Sequence, residues 1–323
     1  MSNIVPSLSF DIFDQPTEQI DWPTMERFAD AAVATPEEMI VPLMNRFDQL
    51  DAAAIQTMET GDFVPQPTGL VLIPSILGLA GPKLASAWQE QIARWLIDHL
   101  DAAATDDDDF KPEVLIFTGQ RLGEGGLTVA AERLLEIDPD GEQLLRTAWF
   151  ALWPIAESCV KHADQTEARR RLDEYSKDRL EQVIRECLDP DQLDQLIWYL
   201  IRSDRSYMEA HIERLLGQCR DARPGRGARR NPALRELRTV ADYLRGDQEQ
   251  IKIFDRPTDF RKVMQSRLDW LNEEPPAESD SPFLDKAGFW DDDPSPDDDL
   301  PPLGNSEPIV RDKPRIGRND PCP

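Results

Sequence analysis

Residues 35–50 read TPEEMIVPLMNRFDQL, and this stretch decides how the chain folds. Thr35-Pro36-Glu37-Glu38 has the composition of a helix start, a capping box with proline at the first helical position. Met39, Ile40, Leu43, Met44, Phe47 and Leu50 then recur at steps of three and four, which places them on one stripe of an α-helix. Such a helix is marginal alone in water and buries its stripe against a neighbour.

The same pattern continues outward. Upstream, Met25, Phe28, Ala29 and Val33 share a face. Downstream, Gly81-Pro82 is expected to open a long helix that turns Leu84, Trp88, Ile92, Trp95, Leu96 and Leu100 inward, and Asp138-Pro139 to open another with Leu144, Leu145, Ala148, Trp149, Leu152 and Ala156. Asp189-Pro190 is expected to open a third with Leu193, Leu196, Ile197, Leu200 and Ile201, and Met208, Ile212, Leu215 and Leu216 follow. Asn231-Pro232 opens Leu234, Leu237, Ala241 and Leu244, and a last helix is expected from about Pro257 through Phe260, Val263, Met264 and Leu268 to Leu271. Period-two alternation is almost absent. The best strand candidate, Val114–Phe117 (VLIF), is too short to separate from a buried helical turn. The expected fold is therefore all-α, an array of stacked antiparallel helical hairpins over residues 22–271. Ile137-Asp-Pro-Asp and Leu188-Asp-Pro-Asp echo each other, each ahead of leucines and a tryptophan; their spacing lies slightly above that of HEAT repeats.

Residues 1–21 read as an N-terminal extension, and beyond residue 271 the pattern collapses. Residues 272–323 hold fourteen acidic and five basic residues and stretches such as DDDPSPDDDLPP, so 272–313 are expected to form a disordered acidic arm. Its apolar island, Phe283-Leu284 with Phe289-Trp290, reads either as a short docking segment or as an incidental half-turn of helix.

The whole chain of 323 residues carries 62 acidic and 36 basic side chains, a formal charge of −26. That field repels phosphate backbones and anionic lipid, which disfavours nucleic acid as the main partner. Met1–Phe10 lacks the basic and apolar regions of a secretory leader. The longest apolar run, Leu70–Ala80, is eleven residues interrupted by Pro74, where a membrane span needs about 20. Four widely separated cysteines make no disulfide framework. A cytoplasmic protein without a membrane anchor is the expectation.

Pro314–Pro323 reads PRIGRNDPCP, and Gly317, Arg318, Asn319, Asp320, Pro321, Cys322 and Pro323 resemble the G-R-N-D-P-C-P opening of the SEC-C motif. This is the small zinc-binding tail of the bacterial translocase ATPase and of many unrelated bacterial proteins. The resemblance implies that Cys322 is the first of four zinc ligands, and that a complete tail would contact protein, the ribosome or the translocation machinery. The other three ligands have no counterpart in the sequence, and one thiolate does not hold structural zinc, so zinc is expected only if the motif continues beyond Pro323. Phe28-Ala-Asp-Ala-Ala, Thr35-Pro-Glu-Glu and Pro42-Leu43 also resemble the start of an uncharacterised bacterial family of HEAT-like helices that often bears this tail.

Candidate chemistry elsewhere is sparse. Cys159 and His162 have the spacing of two ligands on one helical face, yet Cys159, Cys187 and Cys219 each continue an apolar stripe and read as core. His99, His162 and His211 stand in no spacing that implies a relay. Gly119–Gly126 (GQRLGEGG) lacks the Lys-Ser/Thr of a phosphate loop and the spacing of a dinucleotide fold, and reads as an interhelical loop with left-handed glycines. Asp106–Asp109 and Asp291–Asp293 read as solvated linkers. One basic cluster breaks the acidic background: Arg220, Arg223, Arg226, Arg229, Arg230, Arg235 and Arg238. It reads either as a soluble interhelical loop or as an anion dock, for RNA phosphate or for the chain's own Asp-rich arm around residues 291–299, the last favoured by tethering.

The leading expectation is a non-catalytic scaffold that binds a protein partner. Its rivals are an enzyme with a groove site around His99 and Gly119–Gly126, and an RNA- or ribosome-associated factor using the arginine cluster.

Overall fold

The computed structural model describes residues 8–14, 22–60, 68–103, 110–141, 143–186, 190–221, 232–248, 250–251 and 259–272. Cys187, Arg223, Arg226, Arg229, Arg230, Cys322, the aspartate runs at 106–109 and 291–293, the acidic arm from residue 273 and the 314–323 tail lie outside the described residues. Met1–Glu273 forms one compact unit, and none of residues 274–323 is described.

Twelve α-helices occur among the described residues, and no strand. They are α1 (Trp22–Ala34), α2 (Pro36–Thr60), α3 (Gly69–Ala80), α4 (Ser86–Ala103), α5 (Phe110–Gly119) and α6 (Gly123–Glu136). There follow α7 (Gln143–Cys159), α8 (Glu167–Glu186), α9 (Pro190–Ser203), α10 (Arg205–Asp221), α11 (Pro232–Leu244) and α12 (Phe260–Asn272). None is long and apolar enough to cross a membrane.

The stripe that opens at residue 39 behaves as its spacing requires: Ile40, Leu43, Met44, Phe47 and Leu50 are buried. The capping box does not form. A single residue separates α1 from α2, so the Thr35 hydroxyl turns back to the Ala31 carbonyl (3.2 Å), and the Glu38 amide takes the Thr35 carbonyl instead.

The stacking is two-layered. Odd helices α1, α3, α5, α7, α9 and α11 each pack on the next odd one, and even helices α2, α4, α6, α8 and α10 do the same. Sequential pairs α4–α5, α6–α7, α8–α9 and α10–α11 join the layers as antiparallel hairpins. The echo of Asp-Pro-Asp thus belongs to α7 and α9, neighbours within one layer, although its two copies differ in role: α9 starts at Pro190 itself, whereas Pro139 sits in a turn ahead of α7.

The apolar run at 70–80 is the core of the first half. Every residue of α3 except Leu79 is buried, as a helix apolar on all sides must be. It lies among α1, α2, α5, α12 and a 3-10 turn at Phe10–Asp14, whose Phe13 packs on Phe28 with ring centroids 5.3 Å apart. The core therefore includes residues ahead of Trp22. The strand candidate Val114–Phe117 is helical, within α5. Its Val114 and Leu115 are buried, and Thr118 satisfies the Pro74 and Val114 carbonyls at 3.0 Å each.

In the second half, Trp149, Trp153 and Tyr199 stack edge to face at 5.2 and 5.3 Å.

Candidate functional site

Arg220 lies in the last turn of α10, and Arg235 and Arg238 in the first two turns of α11. The two helices pack as a hairpin, so these three guanidinium groups share one end of it, and all three are exposed. None makes an ion pair among the described residues. Elsewhere along the same hairpin arginines are engaged: Arg205 with Glu209 at 2.8 Å, Arg214 with Glu181 at 2.7 Å, and Arg245 with Glu213. A guanidinium is planar and always charged, and its fork of N–H groups matches a carboxylate or phosphate. Among the described residues, an anion at the α10–α11 end would displace no ion pair of these three arginines.

The residues of the enzymatic alternative do not come together. His99, in α4, faces α2, where Asp48 Oδ1 is 2.9 Å from Nε2 and Asp51 Oδ2 is 3.7 Å from Nδ1. Trp95 donates its Nε1 to the same Asp48 oxygen at 2.8 Å, and Phe47 and Trp95 contact the imidazole edge to face. The cluster ties α2 to α4.

Gly119–Gly126 meets the other end of α4, near Gln89, some ten residues and about 15 Å along the helix from His99. The loop itself is short. Gly123 takes the left-handed conformation (φ +56°), while Gly125 and Gly126 already belong to α6 and are buried. A Cβ at Gly125 would lie 2.6 Å from Ser86 O and Glu90 N, so this glycine permits a close crossing of α6 over α4. Gln89, a residue that the sequence pattern hides inside an apolar stripe, is the hub. Its Nε2 donates to Gly81 O (2.9 Å) and Leu84 O (3.2 Å), and its Oε1 accepts the Gly125 amide (3.2 Å). Gly119, Gly125 and Gly126 thus each stand where a Cβ would crowd a neighbouring element.

Cys159 is buried and donates to Gly119 O at 3.3 Å, while His162 is exposed, so the two do not share an accessible face. Burial pushes the Cys159 thiol up to about 12, which keeps it protonated at neutral pH. Cys219 is buried as well, and no group of three or more His, Cys, Asp or Glu that could hold a metal occurs among the described residues.

Two polar networks were not legible as sites. Arg179 of α8, buried within the array, donates to both Asp140 carboxylate oxygens (2.6 and 2.7 Å), to Gln192 Oε1 (2.6 Å) and to Gln182 Oε1 (2.9 Å). It thereby joins the turn ahead of α7 to α8 and α9. Arg169 donates to the Val160, Ala163 and Ser203 carbonyls, beside Asp173, which accepts the Tyr199 hydroxyl at 2.9 Å. Burial raises the Asp173 carboxyl and the Tyr199 phenol together. Between α6 and α8 lies a cleft of about 330 Å³ with Glu124, Thr128, Glu132 and Leu135 on one wall and Thr166–Ala168 and Arg171 on the other. Glu132 is already paired with Arg94 (3.0 Å) and Glu167 with Arg170 (2.6 Å).

Compared with protein-family models, with curated proteins and with solved structures, the chain matches none.

Proposed function

We propose that the protein is a non-catalytic interaction module of the bacterial cytoplasm, whose helical array receives a carboxylate-rich segment of a protein partner at the α10–α11 end. The observation that carries this reading is the grouping, at one end of the α10–α11 hairpin, of three exposed guanidinium groups, Arg220, Arg235 and Arg238, that make no ion pair among the described residues. A peptide places a few carboxylates at the arginines and neutral groups elsewhere. RNA brings a continuous row of phosphates to a chain of charge −26, which works against it. Supporting the same reading, His99, Arg169, Arg179 and Cys159 are each engaged between elements of the array. The resemblance of Gly317–Pro323 to the SEC-C opening adds a second contact to the proposal. With three further ligands beyond Cys322, the tail would hold zinc and reach the ribosome or translocation machinery.

The test titrates the full chain with a fluorescein-labelled peptide in which a few glutamates alternate with neutral residues, and with a labelled single-stranded RNA of equal length, at two salt concentrations. Expected is salt-dependent peptide binding that falls at least ten-fold in the triple variant R220E/R235E/R238E, as the loss of three charge-assisted contacts requires. RNA binding tighter than the peptide, and lost in the same variant, would transfer the site to nucleic acid. Binding unaltered by the triple reversal would remove these arginines from the function.

A further inference from the structure

In the stacked array each helix leans on helices close to it in the chain. α12 is the exception: its principal neighbour is α3, far back in sequence. The seat it occupies has three parts, one each from α1, α3 and the turn before α6. On α3, Gly78 leaves room for the Phe260 ring, since a Cβ there would lie 2.6 Å from Phe260 Cζ. At the turn, the Arg121 guanidinium lies 4.7 Å from the centroid of the same ring. On α1, Trp22 receives Arg261 over its face at 5.1 Å.

One wall of the seat is held from within the array. The Gly78 carbonyl would ordinarily accept an N–H four residues on, but that residue is Pro82, which has none. Arg121 Nε fills the place at 2.7 Å, fixing the guanidinium as one wall of the seat whether or not a ring lies upon it. α12, for its part, starts under its own cap, the Lys262 amide reaching Asp259 Oδ1 at 3.2 Å. Among its described side chains only Phe260 and Met264 are buried, while Arg261, Lys262, Gln265 and Ser266 are exposed.

We propose that α12 is a releasable strap, seated in cis in a preformed groove of its own array that binds an amphipathic helix. The pattern read by the groove is an aromatic residue, a basic residue next to it and an apolar residue four positions after the aromatic, as in Phe260, Arg261 and Met264. Release opens the groove to a competing helix of that pattern while the two layers stay folded. The inference is independent of the α10–α11 arginines, and its failure leaves that reading untouched.

Hydrogen exchange on the full chain tests it, together with binding of a fluorescein-labelled peptide of residues 259–272. Expected in the wild type is exchange at least a hundred-fold faster in α12 than in α3. Phe260→Ala should abolish the remaining protection of α12, leave α3 to α11 within two-fold, and bind the labelled peptide at least ten-fold more tightly than the wild type. Gly78→Ala, which keeps α3 helical but fills the seat, should release α12 without gaining peptide binding. Exchange of α12 at the rate of α3 would make it an integral helix and overturn the proposal. So would loss of protection throughout the array in Phe260→Ala, or equal peptide binding by the Phe260→Ala and Gly78→Ala variants.

Discussion

At Asp194 a carboxylate works against the fold. It accepts Trp198 Nε1 at 2.7 Å, but burial raises its carboxyl, and Glu236 on α11 is raised by burial and then by the charge of Asp194. A carboxyl whose folded-state value lies above its unfolded value contributes stability at low pH and loses it as pH rises through that folded value. Asp194→Asn keeps an acceptor for the indole and removes the charge. Its melting temperature is expected to exceed that of the wild type at pH 7, with the gap closing as pH falls toward about 4, where the unfolded carboxyl also protonates. Thermal unfolding followed by circular dichroism between those limits reads it directly, and a gap that widens on acidification would contradict it. Such pairings belong to three dimensions, and nothing in the spacing of Asp194 and Glu236 announces them. By the same token, the arginines at 220, 235 and 238 were legible as charge, whereas their lack of ion pairs among the described residues was not.

At the level of helices, Arg179 carries the heaviest polar duty, spanning the turn ahead of α7, its own helix and α9. Arg179→Met matches its bulk and removes every donor, leaving Gln192 and Asp140 short of a partner. The cost is expected to be about 2–3 kcal/mol, with no loss of helical signal at low denaturant. Urea unfolding measures it, and a value near zero would mean that solvent substitutes for the guanidinium. This helix also marks where reading the chain runs short. Leu172, Ser176, Arg179, Leu180, Val183 and Ile184 form a regular buried stripe in α8, but a serine and an arginine interrupt it, so apolar counting passes over it. α6 escapes for a related reason, because it buries Gly125, Gly126, Ala130 and Ala131, small residues whose value lies in close approach. Helices with leucine-rich stripes, α2, α4, α7 and α9, were legible because burial of large apolar groups dominates their energetics.

For the molecule as a whole, a charge of −26 is a burden that the ion pairs of the array only partly relieve, since many of them lie on the surface. Sodium chloride raised from about 10 to 200 mM shortens the range of that repulsion from about 30 to below 10 Å, and is expected to raise the melting temperature. A decrease would show that the surface pairs outweigh the repulsion. The two-layer order follows from local stripes and was accessible from sequence; the return of α12 to α3 was not, since no periodicity encodes a contact between such remote positions.

That return has a consequence for biosynthesis. Gly78 leaves the translating machinery some 180 residues before Phe260 does, which at 5–20 residues per second is a delay of roughly 10–40 s. Through that interval a nascent chain displays Trp22 and the α3 seat uncovered, an apolar invitation that a chaperone would meet before the protein's own last helix arrives.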